Sequence, residues 1–406
     1  MRYYIIAGEA SGDLHGSNLI KELIKTEPNS GFRCWGGDKM EAAGATLVKH
    51  YKELAFMGFT EVLKNLRTIF RNLAFCKEDI LAYQPNAIIL IDYPGFNLRI
   101  AAWAKLKGLR VIYYISPQVW AWKENRVKKM KQCIDKMICI LPFEKDYYKD
   151  RWNWDVEYVG HPLVEVVDEF LAGSHESSIQ THNSRLTTHD SRLTTHDSRL
   201  TTHDPQLTTH DSRLTTHDPP TIALLPGSRK QEILKKLPVM LQVSKYFKDY
   251  NFVVAMAPGL EDSFYSELLG PYQNVSTVSN ETYSLLSHAK AALVTSGTAT
   301  LETALFGVPE VICYKSGNIS YHIAKKLIKI KFIGLVNLIM DKEVVKELIQ
   351  HEFTVDNLGK ELTELLYNED RKKQLAQDYA ALKQLLSLGG NASANAAKII
   401  HEFLKG

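Results

Sequence analysis

Short, uninterrupted apolar runs separated by amphipathic stretches constrain this 406-residue chain more than any other feature. Tyr3–Ala7, Ala87–Ile91, Val111–Ile115, Met137–Leu141 and Glu157–Val159 read as strands. Asp13–Lys25, Arg99–Lys107 and Lys123–Cys133 read as helices between them. A strand that is apolar at successive positions is covered on both faces, which is the condition of a parallel sheet between helical layers. The pattern restarts at Thr221, with Ile222–Leu225, Phe252–Ala255, Asn274–Val278, Ala291–Val294 and Glu310–Cys313 as a second strand set. A chain of this length exceeds one ordinary core, so two α/β domains are predicted.

A seven-residue repeat separates the two halves. It begins as IQTHNSR at Ile179, continues as LTTHDSR and its variants, and ends at Pro220. One apolar position in each repeat cannot form a coiled-coil seam, and the Thr, Asp and Pro content opposes helix. Six of the 14 histidines recur here, but their spacing fits no compact metal-ligand set. The segment is predicted to be a disordered polar linker, dispensable for chemistry.

Bulk properties exclude several classes. A net charge of +3 gives no case for nucleic acid. No apolar stretch reaches the roughly 18 residues of a membrane span. The start, MRYYIIAGEASGD, reads as a first strand instead of a signal peptide. Cys34, Cys76, Cys133, Cys139 and Cys313 form no C-x-x-C pair and fit reduced thiols in a cytoplasmic protein.

Five strand ends carry candidate chemistry. The most informative is VTSGTATLETALFGVP at Val294–Pro309, a strand, a Gly turn and a helix. Such a turn aims free N–H groups and a positive helix end at an anion, through Ser296, Gly297 and Thr298. A carboxylate at Glu302 would repel that anion, so Glu302 suits sugar hydroxyls beside it; stabilisation of the helix end is the alternative. Leu225-Pro226-Gly227-Ser228-Arg229 forms a second such turn. Gly227 permits close backbone approach, Ser228 can cap a helix, and Arg229 is either a bidentate phosphate clamp or a surface cation.

In the first half, Gly8-Glu9-Ala10-Ser11-Gly12-Asp13, with His15 following, makes a strand–turn–helix element without a Gly-x-Gly. That weakens a dinucleotide reading. Asp92 ends a buried strand in Ile91-Asp92-Tyr93-Pro94-Gly95-Phe96-Asn97, where partial desolvation suits a general base. A helix cap or a turn Asp is the alternative. Trp120 and Trp122 follow another strand and either pack or form a platform under a sugar or acyl chain. No Asp-x-Asp occurs, so Arg229 and helix termini are expected to neutralise a diphosphate without a metal. Phe56–Phe75 and Ile319–Met340 are basic and amphipathic, compatible with an anionic membrane surface or with ordinary core-facing helices.

In this order the segments resemble the lipid-A-disaccharide synthase family. They are AGEASGD at Ala7–Asp13, FMGFTEVL at Phe56–Leu63, ID-P-FN around Asp92, SPQVWAW at Ser116–Trp122 and LPFEK at Leu141–Lys145. VGHP at Val159–Pro162, LPGSR at Leu225–Arg229 and TSGTATLE at Thr295–Glu302 complete the set. The resemblance spans nearly all of the chain except the repeats. It implies a GT-B fold of two Rossmann-like doubly wound domains facing a cleft. Residues 1–165 would bind acceptor, 166–220 would link, and 221–384 would bind UDP-sugar, with a last helix near 385–406 packing back on the first domain.

The implied reaction moves 2,3-diacylglucosamine from UDP-2,3-diacylglucosamine to the 6-hydroxyl of 2,3-diacylglucosamine 1-phosphate (lipid X), with inversion. Asp92 is the candidate base, with Glu9, Asp13 or His15 in reserve. Gly227, Ser228, Arg229, Ser296, Gly297 and Thr298 would hold the departing diphosphate, and Glu302 the ribose. Ser11, Gly12, Phe56, Met57, Phe59, Trp120 and Trp122 would meet acceptor and acyl chains. No cofactor, metal or nucleic acid is implied, and the enzyme would lie peripherally on the cytoplasmic face of the inner membrane. This chain departs from relatives in having Gly95 where a second acid is common, and in its long repeat. The remaining alternatives are another GT-B enzyme acting on UDP-GlcNAc (a cell-wall transferase or a 2-epimerase) and a non-catalytic nucleotide-sugar-binding protein.

Overall fold

The computed structural model describes residues 1–54, 66–173, 219–317 and 330–406. The repeats, Phe56, Met57 and Phe59 and most of the basic stretch after Ile319 therefore lie outside the described residues.

The first sheet has seven parallel strands in the order β3-β2-β1-β4-β5-β6-β7. They are β1 (Arg2–Ala7), β2 (Gly31–Gly36), β3 (Thr46–His50), β4 (Ala87–Ile91), β5 (Val111–Tyr114), β6 (Lys136–Cys139) and β7 (Glu157–Tyr158). Its connections include α1 (Ala10–Thr26), α2 (Asp38–Ala42), α3 (Leu66–Tyr83), α4 (Pro94–Leu106), α5 (Val119–Trp122), α6 (Arg126–Cys133) and α7 (Pro142–Trp152). Side chains alternate across the sheet as the pleat requires. Tyr4, Ile6, Ile88, Leu90 and Tyr113 enter one core with Leu73, Cys76 and Ile80 of α3. Tyr3, Ile5, Ile89, Ile91 and Tyr114 enter the other.

The second sheet has six parallel strands in the order β10-β9-β8-β11-β12-β13. They are β8 (Thr221–Leu225), β9 (Asn251–Met256), β10 (Val275–Ser279), β11 (Ala289–Thr295), β12 (Glu310–Tyr314) and β13 (Lys346–Ile349). Helices α8 (Lys230–Ser244), α9 (Asp262–Leu269), α10 (Thr282–His288) and α11 (Thr298–Leu305) alternate with them. After β12 come α12 (Leu335–Met340), α13 (Val355–Tyr367), α14 (Glu369–Ser387) and α15 (Ala392–Lys405).

The α/β class with two doubly wound parallel sheets is as expected; several boundaries differ. Helix α1 starts at Ala10 instead of Asp13, α4 at Pro94 instead of Arg99, and α6 at Arg126 instead of Lys123. Pro94 fits the first helical turn because its missing N–H has no partner there. Strands β2, β3 and β13 carry Arg33, Lys49, Lys346 and Glu347, which mask them as apolar runs.

The chain forms two compact units that it enters and leaves repeatedly. The first contains Met1–Glu165, Ser316–Val344 and Lys373–Gly406; the second contains Val166–Lys315 and Val345–Lys372. Thus Ser316–Val344, assigned from sequence to the second domain, groups with the first, where Ile339 packs on the Tyr3–Ile5 core. The apolar face of α15 (Ala392, Ala396, Ala397 and Ile400) joins the same core, and α15 lies along α1.

The return to the first unit is tight. A Cβ on Gly389 would overlap the Val159 and Gly160 backbone, and His161 N–H donates to Leu386 O at 3.0 Å. Ile400→Ala should therefore destabilise the first unit by about 2–5 kcal/mol, read as a lower denaturant midpoint for that unit. An unchanged midpoint would show that α15 contributes no core.

Candidate active site

In an open parallel sheet, ligands bind beyond the strand C-termini where the winding reverses. In the first unit that point lies between β1 and β4, whose last residues Ala7 and Ile91 are paired. The two chains diverge there as Gly8-Glu9 and Asp92-Tyr93, so the sheet itself brings Glu9 and Asp92 together. Gly8 makes this possible, because a Cβ there would overlap the Tyr93 ring.

Asp92 and Tyr93 both adopt left-handed backbone, with φ of 43° and 47°. Consecutive non-glycine residues in that region cost of order 1–3 kcal/mol each and need external support. Asn97 and Tyr113 give it. The buried Asn97 amide donates to Asp92 O at 2.8 Å, Ile91 O at 3.1 Å and Ile6 O at 3.3 Å. Tyr113 Oη donates to the same Asp92 carbonyl at 2.5 Å. Neither stood out from the sequence as a functional residue, although Asn97 ends the ID-P-FN motif.

The cap alternative for Asp92 does not apply. Tyr93 occupies the N-cap position of α4, and no side chain caps it. Asp92 is only partly exposed. Burial, then the Glu9 carboxylate, pushes its pKa up to about 7, with a hydrogen bond from the Tyr93 amide opposing them.

The reserve acids and bases fare differently. Asp13 Oδ1 accepts from Gly37 N at 2.8 Å and Met40 N at 3.1 Å, while Oδ2 accepts from Lys39 N at 3.1 Å. Its carboxylate is spent capping α2, which corrects its candidacy as a base. Burial, then Lys39, pushes His15 down to about 4; burial, then His15, pushes His161 down to about 3. Both rings are neutral at pH 7, and a base near 4 is weaker there than one near 7. Ser11 lies inside the first turn of α1 behind the Glu9 N-cap, and Gly12 packs its Cα face near Ala7 Cβ.

Trp120 is anchored. Its Nε1 donates to Glu144 Oε1 at 3.1 Å and its ring meets Phe143 edge-on. Burial pushes Glu144 up to about 7, against hydrogen bonds from Leu141 N and Trp120. This contact locks SPQVWAW to LPFEK and favours the packing reading of Trp120. Trp122 ends α5.

The second unit repeats the switch-point geometry. Leu225 and Val294 pair at the ends of β8 and β11, and Thr295 Oγ1 donates to Pro226 O at 2.9 Å. This bond ties the two glycine turns together. Gly227 has φ 116°, and a Cβ there would lie 2.8 Å from Glu232 Oε2. Ser228 is exposed, and Arg229 is the N-cap residue of α8. The Arg229 guanidinium is half-exposed, 3.5 Å from Glu232 Oε1.

Gly297, at φ 151°, is the N-cap of α11, so Ser296 and Thr298 flank a helix end without a side-chain cap. Glu302 Oε1 accepts from Tyr283 Oη at 2.8 Å. Phe306 and Phe170 pack against that tyrosine ring. The tether orients Glu302, a role that sequence reading missed in Tyr283. Among the described residues no three His, Cys, Asp or Glu side chains form a metal-binding group. No described helix is long and apolar enough to cross a membrane.

Comparison with known proteins agrees with these features. A family model described as lipid-A-disaccharide synthetase matches residues 3–188 and 197–401. The lipid-A-disaccharide synthase of Syntrophus aciditrophicus is 37% identical over 394 residues, covering 96% of this chain and 94% of that protein. Those of Geobacter metallireducens and Coxiella burnetii are 34% and 35% identical, covering 99% and 98% of this chain and 97% and 98% of theirs. Among solved structures, UDP-GlcNAc 2-epimerase from Neisseria meningitidis bound to UDP-GlcNAc has a TM-score of 0.63 at 13% identity, with 100% of both chains covered. The kitacinnamycin glycosyltransferase has a TM-score of 0.60 at 12% identity, with 99% of each covered. At such identities the structures speak for the GT-B fold, while the family match speaks for the chemistry. The chain belongs to the lipid-A-disaccharide synthase family of glycosyltransferases.

Proposed function

We propose that this chain transfers 2,3-diacylglucosamine from its UDP-linked donor to the 6-hydroxyl of 2,3-diacylglucosamine 1-phosphate, with Asp92 as general base. The observation that carries the assignment of the base is the Asp92–Glu9 pair at the first switch point, with Asp92 raised to about 7. A base poised there is half-deprotonated near neutrality and accepts the hydroxyl proton as the new bond forms. Displacement from an α-linked donor then gives the β-1,6 product in one inverting step.

The departing diphosphate needs positive charge where its negative charge develops. The N-termini of α8 and α11, together with Arg229, supply it without a metal. Glu302, oriented by Tyr283, accepts hydrogen bonds from the ribose hydroxyls. On α3, Phe70 and Phe75 are exposed at 59% and 45%, with Arg67 and Arg71 beside them. Aromatic and basic groups on one face suit a peripheral seat on the anionic cytoplasmic surface of the inner membrane.

The direct assay incubates the protein with UDP-diacylglucosamine and the phosphorylated acceptor and looks for UDP and disaccharide; absence of both would reject the proposal. Asp92→Asn should keep UDP affinity and lose turnover by about 10²–10⁴-fold. In the unsubstituted enzyme kcat/KM should rise with pH through about 7 as Asp92 loses its proton. An Asp92→Asn variant that kept this limb would move the role to another group. Arg229→Ala should weaken UDP binding by about tenfold or more, measured by calorimetry. Tyr113→Phe should lower kcat more than it raises the donor KM, because it loosens only the backbone that carries Asp92. A larger effect on KM would place Tyr113 elsewhere in the mechanism.

A further inference from the structure

Two residues beyond Asp92 the chain enters a cavity of about 390 Å³ between α4 and α6. Its wall combines Gly95, Leu98 and Arg99 from the first turns of α4 with Arg126, Lys129 and Met130 from α6. Three of these side chains are cationic, and no Asp or Glu lines the cavity. None of the three makes an ion pair among the described residues. The acids nearest Arg126 and Lys129 in sequence are engaged elsewhere, Glu124 with Arg151 and Asp135 with Lys105. The N-terminus of the 13-residue α4 faces the same space through Pro94 and Gly95, adding its partial positive charge. Leu98, Met130 and Cys133 give the cavity an apolar floor. Cationic rim and apolar floor together match an anionic amphiphile.

Gly95 sharpens the match. It is exposed, its φ is not positive, and a Cβ there would meet nothing within 4 Å. Neither backbone conformation nor packing therefore requires glycine. An acid at this position would place a negative charge at the rim, and glycine sets none against Arg99, Arg126 and Lys129.

We propose that this cavity binds the phosphate monoester of the acceptor glycolipid, with the apolar floor against the adjoining acyl chain. The inference rests on the acceptor assigned under the proposed function. In that acceptor the 1-phosphate and the reacting 6-hydroxyl flank the same ring oxygen. A phosphate site on the loop and helix that follow Asp92 would thus orient the hydroxyl toward the base. Arg supplies bidentate contacts to phosphate oxygens, and Lys a point charge.

The test uses nonionic detergent micelles and compares two acceptors, diacylglucosamine 1-phosphate and the same lipid without phosphate. The unsubstituted enzyme should prefer the phosphorylated acceptor. Arg126→Ala/Lys129→Ala should lose about tenfold or more in acceptor kcat/KM and most of that preference, with UDP affinity unchanged. Arg99→Ala should act in the same direction. Arg99 is exposed, so its loss of preference cannot be ascribed to unfolding. Equal losses on both acceptors, or an undiminished preference in both variants, would overturn the proposal.

If the unsubstituted enzyme makes no disaccharide, the proposed function fails. Equilibrium binding of the two lipids then tests the cavity by itself. Phosphate-dependent binding that the variants lose upholds it, and binding indifferent to phosphate overturns it. Variants that lose only adhesion to anionic vesicles, with acceptor preference intact, would assign the cavity to membrane headgroups and likewise overturn the proposal.

Discussion

Where two parallel strands send their chains in opposite directions, the last carbonyls lose their strand partners and the opening between the loops must be held by something else. Each unit solves this with one polar side chain. Asn97 donates to carbonyls on both β1 and β4, and Thr295 donates across to Pro226 after β8. The reactive groups inherit their placement from these bonds. Asp92 is held in left-handed backbone because Asn97 and Tyr113 share its carbonyl. The turns at Gly227 and Gly297 stay adjacent because Thr295 joins them.

The same architecture gives the two switch points opposite electrostatic character. In the first unit the strand ends deliver two carboxylates side by side, and Glu9 adds to the burial that raises the proton affinity of Asp92. In the second they deliver uncapped helix ends and a half-exposed guanidinium. The two contrasting sets of groups sit on sheets that differ in topology only by strand number. Glu302 is the exception in the second unit, and its tether to Tyr283 holds that carboxylate in one orientation.

Much of this was legible in the sequence, because a buried parallel strand needs a continuous apolar run and its end needs glycine or a turn. Gly8, Gly227 and Gly297 mark three of the four strand ends that matter. What was not legible depends on partners distant along the chain. Asp13 looks like an active-site acid, yet its partners are amides of Gly37, Lys39 and Met40. Asn97 looks like an ordinary helix residue until its amide is seen to join two strands. Strands β2, β3 and β13 escaped because charged residues interrupt their apolar runs. The linear domain boundary failed at Ser316–Val344, since no composition change marks a chain crossing back between units.

The tight return at Gly389 also bears on how the protein is made. Residues Tyr3 and Ile5 share their core with Ala396, Ala397 and Ile400. A chain emerging from the ribosome amino end first covers this core early with Leu19, Ile20 and Leu23 of α1, but its remaining cover is made last. The second unit, drawn from Val166–Lys315 and Val345–Lys372, has all its residues available earlier. The segment synthesised first thus belongs to the unit finished last, and the part of its core that α1 leaves open waits through nearly the whole of translation for α15.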